Sequence, residues 1–115
     1  MYYDERTENL PAIPLKTYPE LTAVQQHCLE AAEYIRSHGW RQNQWGSHYG
    51  PRCIMGALKS VISDAREVPS SPYGQAYHHL HNFLQRCPVG YNDQFERTKE
   101  EVISVLEAAA EVAPC

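Results

Sequence analysis

The apolar positions of this chain fall into four runs with helical spacing, separated by segments that break it. Leu21, Val24, Cys28, Ala31, Ala32 and Ile35 recur every three or four residues, which predicts a helix from about Glu20 to His38 with one apolar stripe. Pro19 before it and Gly39 after it are the expected punctuation. Ile54, Ala57, Leu58, Val61 and Ile62 predict a second helix from about Arg52 to Arg66. Gly56 interrupts that stripe, and a glycine there marks close helix packing or close approach of a ligand. After the turn Val68-Pro-Ser-Ser-Pro, a third helix is expected from about Tyr73 to Arg86, with Ala76, Tyr77, Leu80, Phe83 and Leu84 inward. The last helix has the clearest start. Thr98 followed by Glu101 reads as a capping box, Val102, Val105, Leu106, Ala109 and Val112 form the stripe, and Pro114 ends it.

The interruptions are of three kinds. Residues 1–19 hold Pro11, Pro14 and Pro19 and read as an extended arm, with Ile13 and Leu15 able to form a short edge strand. Residues 39–52 contain three glycines and a proline among aromatic and hydrogen-bonding side chains, so a structured loop is expected, with a short hairpin around Gly46. Residues 88–97 read as a second loop carrying Tyr91, Asn92 and Asp93. The reading is therefore all-α: one four-helix domain over residues 20–115, preceded by the arm over 1–19, with two structured loops.

Length and charge narrow the function classes. At 115 residues the chain is one domain, able to bury roughly two-thirds of its unfolded surface without a metal or disulfide. No apolar run approaches the ~20 residues that span a bilayer, and the polar, acidic start is unlike an export signal, so a cytoplasmic protein is expected. Free thiols are then expected at Cys28, Cys53, Cys87 and Cys115, whose spacing contains no C-x-x-C pair. The net charge of −4 argues against general nucleic-acid binding. Charge is nonetheless segregated. Residues 34–66 carry Arg36, Arg41, Arg52, Lys59 and Arg66 against Asp64 alone, between two acidic flanks. That island either meets an anionic ligand or pairs internally with the flanks.

Taken in order, Gly39-Trp40, then Cys53-Ile-Met-Gly56-Ala57-Leu58, then Tyr91-Asn92-Asp93, then Arg97-Thr98 opening a helix through Val102 and Ala109, the chain resembles an uncharacterised family of small domains from actinobacteria and their bacteriophages. The resemblance covers about residues 21–112. It departs at Tyr91, where the family pattern has Trp. It implies a helical fold and a phage or actinobacterial setting. It implies no activity. Small phage-encoded proteins commonly bind a host protein, an association that makes such a partner the expectation.

Three sets of residues are candidates for chemistry. Cys53, in the expected first turn of the second helix beside Arg52, has the setting of an activated thiolate. With His78, His79 or His81 as base and Asn92 or Asp93 as orienter, it follows the chain order of papain-like cysteine enzymes and would make a hydrolase or transferase. The plain alternative is a packed cysteine, and a papain-like fold also needs a sheet. His78 and His81 share a helix face, but two ligands do not make a metal site; Asp93 or Glu96 would have to supply a third, and no metal is assigned. Trp40, Arg41, Gln44, Trp45, Tyr49 and Arg52 combine aromatic and guanidinium groups, which suits a protein partner or a nucleotide or other anion. No phosphate-loop or dinucleotide fingerprint is present, so no cofactor is assigned. Tyr73, Tyr77 and Cys115 would serve a dimer, which nothing in the sequence requires. The reading that results is a non-catalytic binding protein presenting residues 39–52 and the adjoining start of the second helix to a host or cellular protein.

Overall fold

The computed structural model describes residues 21–47 and 49–114; the arm expected over residues 1–19, together with Glu20, His48 and Cys115, lies outside them. The described residues are all-α, with five helices: α1 Ala23–His38, α2 Ile54–Val61, α3 Pro72–Leu84, α4 Pro88–Asp93 and α5 Lys99–Ala109. No helix among them is long and apolar enough to cross a membrane.

α1 is the central helix and packs against α2, α3 and α5. Its stripe is the expected one: Val24, Cys28, Ala31, Ala32 and Ile35 are buried. Alanines at the contacts let neighbouring helices approach closely, and Ile35, Ile54, Met55, Leu58, Leu80, Val102 and Leu106 fill the space between them. The start of α1 differs from expectation. Thr22 caps it, accepting from Gln25 N at 3.2 Å while Gln25 Oε1 accepts from Thr22 N at 2.8 Å. The same Gln25 donates from Nε2 to Ala110 O at 3.0 Å, and His79 Nε2 donates to Ala109 O at 2.8 Å. Two carbonyls at the end of α5 are thereby bonded from α1 and α3, Ala109 O in addition to its backbone bond from Val112 N.

Four other expectations need correction. The second helix stops at Val61, not Arg66. Asp64 bonds the Arg66 backbone and side chain, a local arrangement that competes with the helix, although Ile62 stays buried in extended conformation. In α3 the inward face is Tyr73, Ala76, His79 and Leu80, while Tyr77 and Phe83 are exposed. The loop expected at 88–97 contains α4, a six-residue helix with Pro88 in its first turn and Pro88 and Asn92 turned inward, so there are five helices rather than four. Finally, α5 ends at Ala109, leaving Val112 exposed; its start is the expected capping box, with Thr98 Oγ1 accepting from Glu101 N at 3.2 Å and Glu101 Oε1 from Thr98 N at 3.0 Å.

Candidate functional site

Residues 39–53 join the end of α1 to the start of α2, and the described ones among them are held at several points. Gly39 adopts φ +100°, ends α1 by donating to Ile35 O at 2.9 Å, and redirects the chain. The two arms of the loop then touch through single-residue β-type pairings, Trp40 with Arg52 in parallel sense and Gly46 with Arg52 antiparallel, in place of the expected hairpin. Trp45 O accepts from Cys53 N at 3.4 Å and from Arg52 Nε at 3.2 Å, and Arg52 Nη1 continues to Ser60 Oγ at 2.8 Å. This explains Gly56. A Cβ on it would stand 2.6 Å from the Trp45 carbonyl oxygen, so the glycine admits the loop, rather than a second helix, onto α2.

A second anchor comes from α4. Asn92 is fully buried and uses its whole carboxamide. Oδ1 accepts from Trp40 Nε1 at 2.6 Å and from Ile54 N at 3.0 Å; Nδ2 donates to Arg41 O at 3.1 Å and Asp93 Oδ1 at 2.8 Å. Asp93 Oδ1 also accepts from Asn43 N at 2.7 Å, where Asn43 adopts a left-handed φ of 66°. Gln42 Nε2 donates to Asn92 O at 3.1 Å and Gln94 O at 2.9 Å. Asn92 and Asp93 are therefore tethers between distant segments.

The candidate thiolate does not have the surroundings of one. Cys53 is the N-cap of α2, one residue before the helix, and its buried Sγ accepts from Gly56 N at 3.3 Å. Burial raises its pKa, and the Gly56 and Met55 amides and Arg52 offset that only in part. Of the three histidines, His79 is buried and committed to the end of α5, while His78 and His81 are exposed, His81 lying against Tyr77 with ring centroids 6.0 Å apart. No three His, Cys, Asp or Glu side chains among the described residues are grouped as metal ligands.

The basic island is largely neutralised from within. Arg36 pairs with Glu33 and Glu107 at 3.2 and 2.7 Å, Lys59 with Glu67 at 2.6 Å, and Arg66 with Asp64 at 2.8 Å. Arg52 is turned into the loop. Arg41 stays exposed, with no ion pair among the described residues. The six candidate binding residues thus divide. Trp40 and Arg52 support the loop from inside, while Arg41, Gln44, Trp45 and Tyr49 are exposed. Trp45 is 42% exposed, with Lys59 Nζ 4.9 Å from its ring centroid and 5.1 Å from that of Tyr73. It stands at a cavity of about 890 Å³ lined largely by apolar groups, among them Met55, Tyr73, Tyr77, Val68 and Val89.

Two features escaped the sequence reading. Phe95, between α4 and α5, is 86% exposed. Cys87 stands at the N-cap position of α4 on the surface without a side-chain capping bond, and its thiol is held below the ordinary value, chiefly by the Gly90 amide, with help from Tyr77, the Val89 amide and Arg86. Pro88, in the first turn of α4, is a helix-start signal, and that signal was available. Comparison with known proteins adds a family and little else. Neither the curated proteins nor the solved structures contain a match to the chain. One family matches, over residues 19–112, spanning all five helices and both anchors of the loop; the chain belongs to the family of unknown function DUF6197.

Proposed function

We propose that this is a small cytoplasmic binding protein, encoded by an actinobacterium or its phage, that acts non-catalytically on a host protein through the outer edge of residues 39–52. One observation carries the reading. Trp45 is a large, half-exposed aromatic side chain whose backbone carbonyl is held by Cys53 N and Arg52 Nε, beside an apolar cavity. A rigid aromatic anchor loses little entropy on binding, and Trp, Tyr and Arg dominate the energetics of protein interfaces. Arg41, Gln44 and Tyr49 surround it with hydrogen-bonding and aromatic groups. The buried Cys53 thiol and its raised pKa weigh against the alternative of a cysteine-dependent hydrolase or transferase.

The test is capture from host lysate by wild type, Trp45→Ala and Arg41→Glu, side by side. A stoichiometric protein that is retained by wild type and lost by both variants is expected, with the thermal midpoints of all three alike. Retention of that protein by both variants would remove the loop edge as the binding surface.

A further inference from the structure

Positive charge is left unbalanced at one place outside the basic island. Arg86, just beyond α3, donates from Nη1 to Gln94 Oε1 at 2.7 Å, and Arg97, just before α5, donates from Nη2 to the same oxygen at 2.8 Å. The two donor nitrogens are thus less than about 6 Å apart, well inside the range over which charges act unscreened. Their shared acceptor is neutral. Arg97 is already fixed in place: Nε donates to Tyr91 O at 3.0 Å, Cζ lies 3.7 Å from the Tyr91 ring centroid, and the side chain is only 14% exposed. Its carboxylate partner, Glu101, stands at 3.4 Å, and the same oxygen of Glu101 also accepts the Thr98 amide. Arg86 has no carboxylate partner among the described residues.

We propose that Arg86 and Arg97 form a binding site for a phosphate monoester, and that the Gln94 carboxamide oxygen holds the place the phosphate takes. An anionic acceptor makes stronger hydrogen bonds to guanidinium than a neutral amide does, so exchange of one for the other is favourable. The approach of the two donors selects the anion. A planar carboxylate matches the fork of one guanidinium, whereas here two guanidiniums reach one point, which suits a tetrahedral group with three terminal oxygens and close to two negative charges. Phe95 follows Gln94 in the chain and is 86% exposed, so a monoester carrying an aromatic ring is favoured over inorganic phosphate. Cys87 supplies a built-in reporter, because Arg86 is among the groups that hold its thiol pKa down. A dianion beside Arg86 cancels that influence and slows alkylation of Cys87.

The full chain is titrated with inorganic phosphate and with phenyl phosphate at constant ionic strength, set with sodium chloride. Two readouts are taken: phosphorus line broadening, and the rate of Cys87 alkylation by iodoacetamide, a neutral reagent. Saturable broadening and a slower alkylation are expected, at lower concentration for phenyl phosphate; equal concentrations would assign recognition to the phosphate group alone. Arg86→Gln should abolish both effects. Gln94→Glu, which installs a carboxylate between the arginines, should also abolish them, and Gln94→Ala should tighten binding several-fold. A flat titration with both probes, or unchanged binding in Arg86→Gln or Gln94→Glu, overturns the proposal. Trp45→Ala should leave the titration as in wild type, so this site and the protein-binding edge stand or fall separately.

Discussion

Cys53 and Cys87 occupy the same position, the N-cap of a helix, and their thiols are driven in opposite directions. Cys53 Sγ accepts from Gly56 N at 3.3 Å, whereas the Cys87 thiol makes no capping hydrogen bond and only feels the nearby Gly90 and Val89 amides. At the start of α2 the loop from α1 closes over the cap, and desolvation outweighs the amides, so the Cys53 pKa rises. At the start of α4 nothing comparable covers the thiol; the Gly90 amide outweighs desolvation, and the Cys87 pKa falls. Helix position sets up a favourable field, and burial decides whether that field controls the thiol.

The largest effect this contrast predicts is kinetic. In native protein treated with iodoacetamide near neutral pH, Cys87 should be alkylated on the order of 100-fold faster than Cys53, which reacts only through opening of the loop. Peptide mapping by mass spectrometry reads both thiols at once, and comparable rates would break the comparison. Next in size is removal of the lid over Cys53. Asn92→Ala strands Trp40 Nε1, Ile54 N and Arg41 O, and should cost about 2–4 kcal/mol in urea unfolding while exposing Cys53 to the reagent. A loss below about 0.5 kcal/mol would mean that the tether is ornamental.

A smaller effect appears in alkali. Burial raises the Cys28 pKa to about 12 from the ordinary 9.0, so the native state keeps a proton that the unfolded chain gives up. The stability this contributes is complete below pH 9 and is lost as pH rises toward 12, at up to about 1.4 kcal/mol per pH unit. Unfolding curves of wild type and Cys28→Ala should therefore converge as pH rises above 9, and parallel pH profiles would contradict the assignment. The smallest effect belongs to Tyr77, whose hydroxyl donates to Cys87 Sγ at 3.8 Å. Tyr77→Phe should move the midpoint of the Cys87 alkylation profile toward higher pH and slow the reaction a few-fold at neutral pH, with no change in protection of Cys53.

Much of the fold was legible because the helices bury regular stripes. Cys28, Ala31, Ala32 and Ile35 in α1, and Val102, Leu106 and Ala109 in α5, lie inward at the spacing the sequence shows, and Thr98 with Glu101 forms the capping box it suggests. Where the pattern misled, a side chain had a partner far away in sequence. His79 is inward because it caps α5, a role that hydropathy does not encode, and Tyr77 is displaced to the surface of α3. The short helix α4 has too few apolar positions for periodicity to register. At the candidate site, the aromatic and guanidinium content of residues 39–52 was visible, but which of those groups face water was not. Trp40 and Trp45 look alike in the sequence and differ because only Trp40 meets Asn92, 52 residues away. Arg86 and Arg97 could not be paired at all without the turn that brings both to Gln94.

The Asn92 carboxamide ties Trp40 and Arg41, the first turn of α2 and the end of α4 with one planar group. In hydrogen exchange such an arrangement has a signature. The Trp40 indole and the Ile54 amide, 14 positions apart in the chain, share a single acceptor oxygen and so should exchange through one common opening. Residues 39–54 then behave as a cooperative unit with α4, closed late in folding because its contacts join the middle of the chain to its far end.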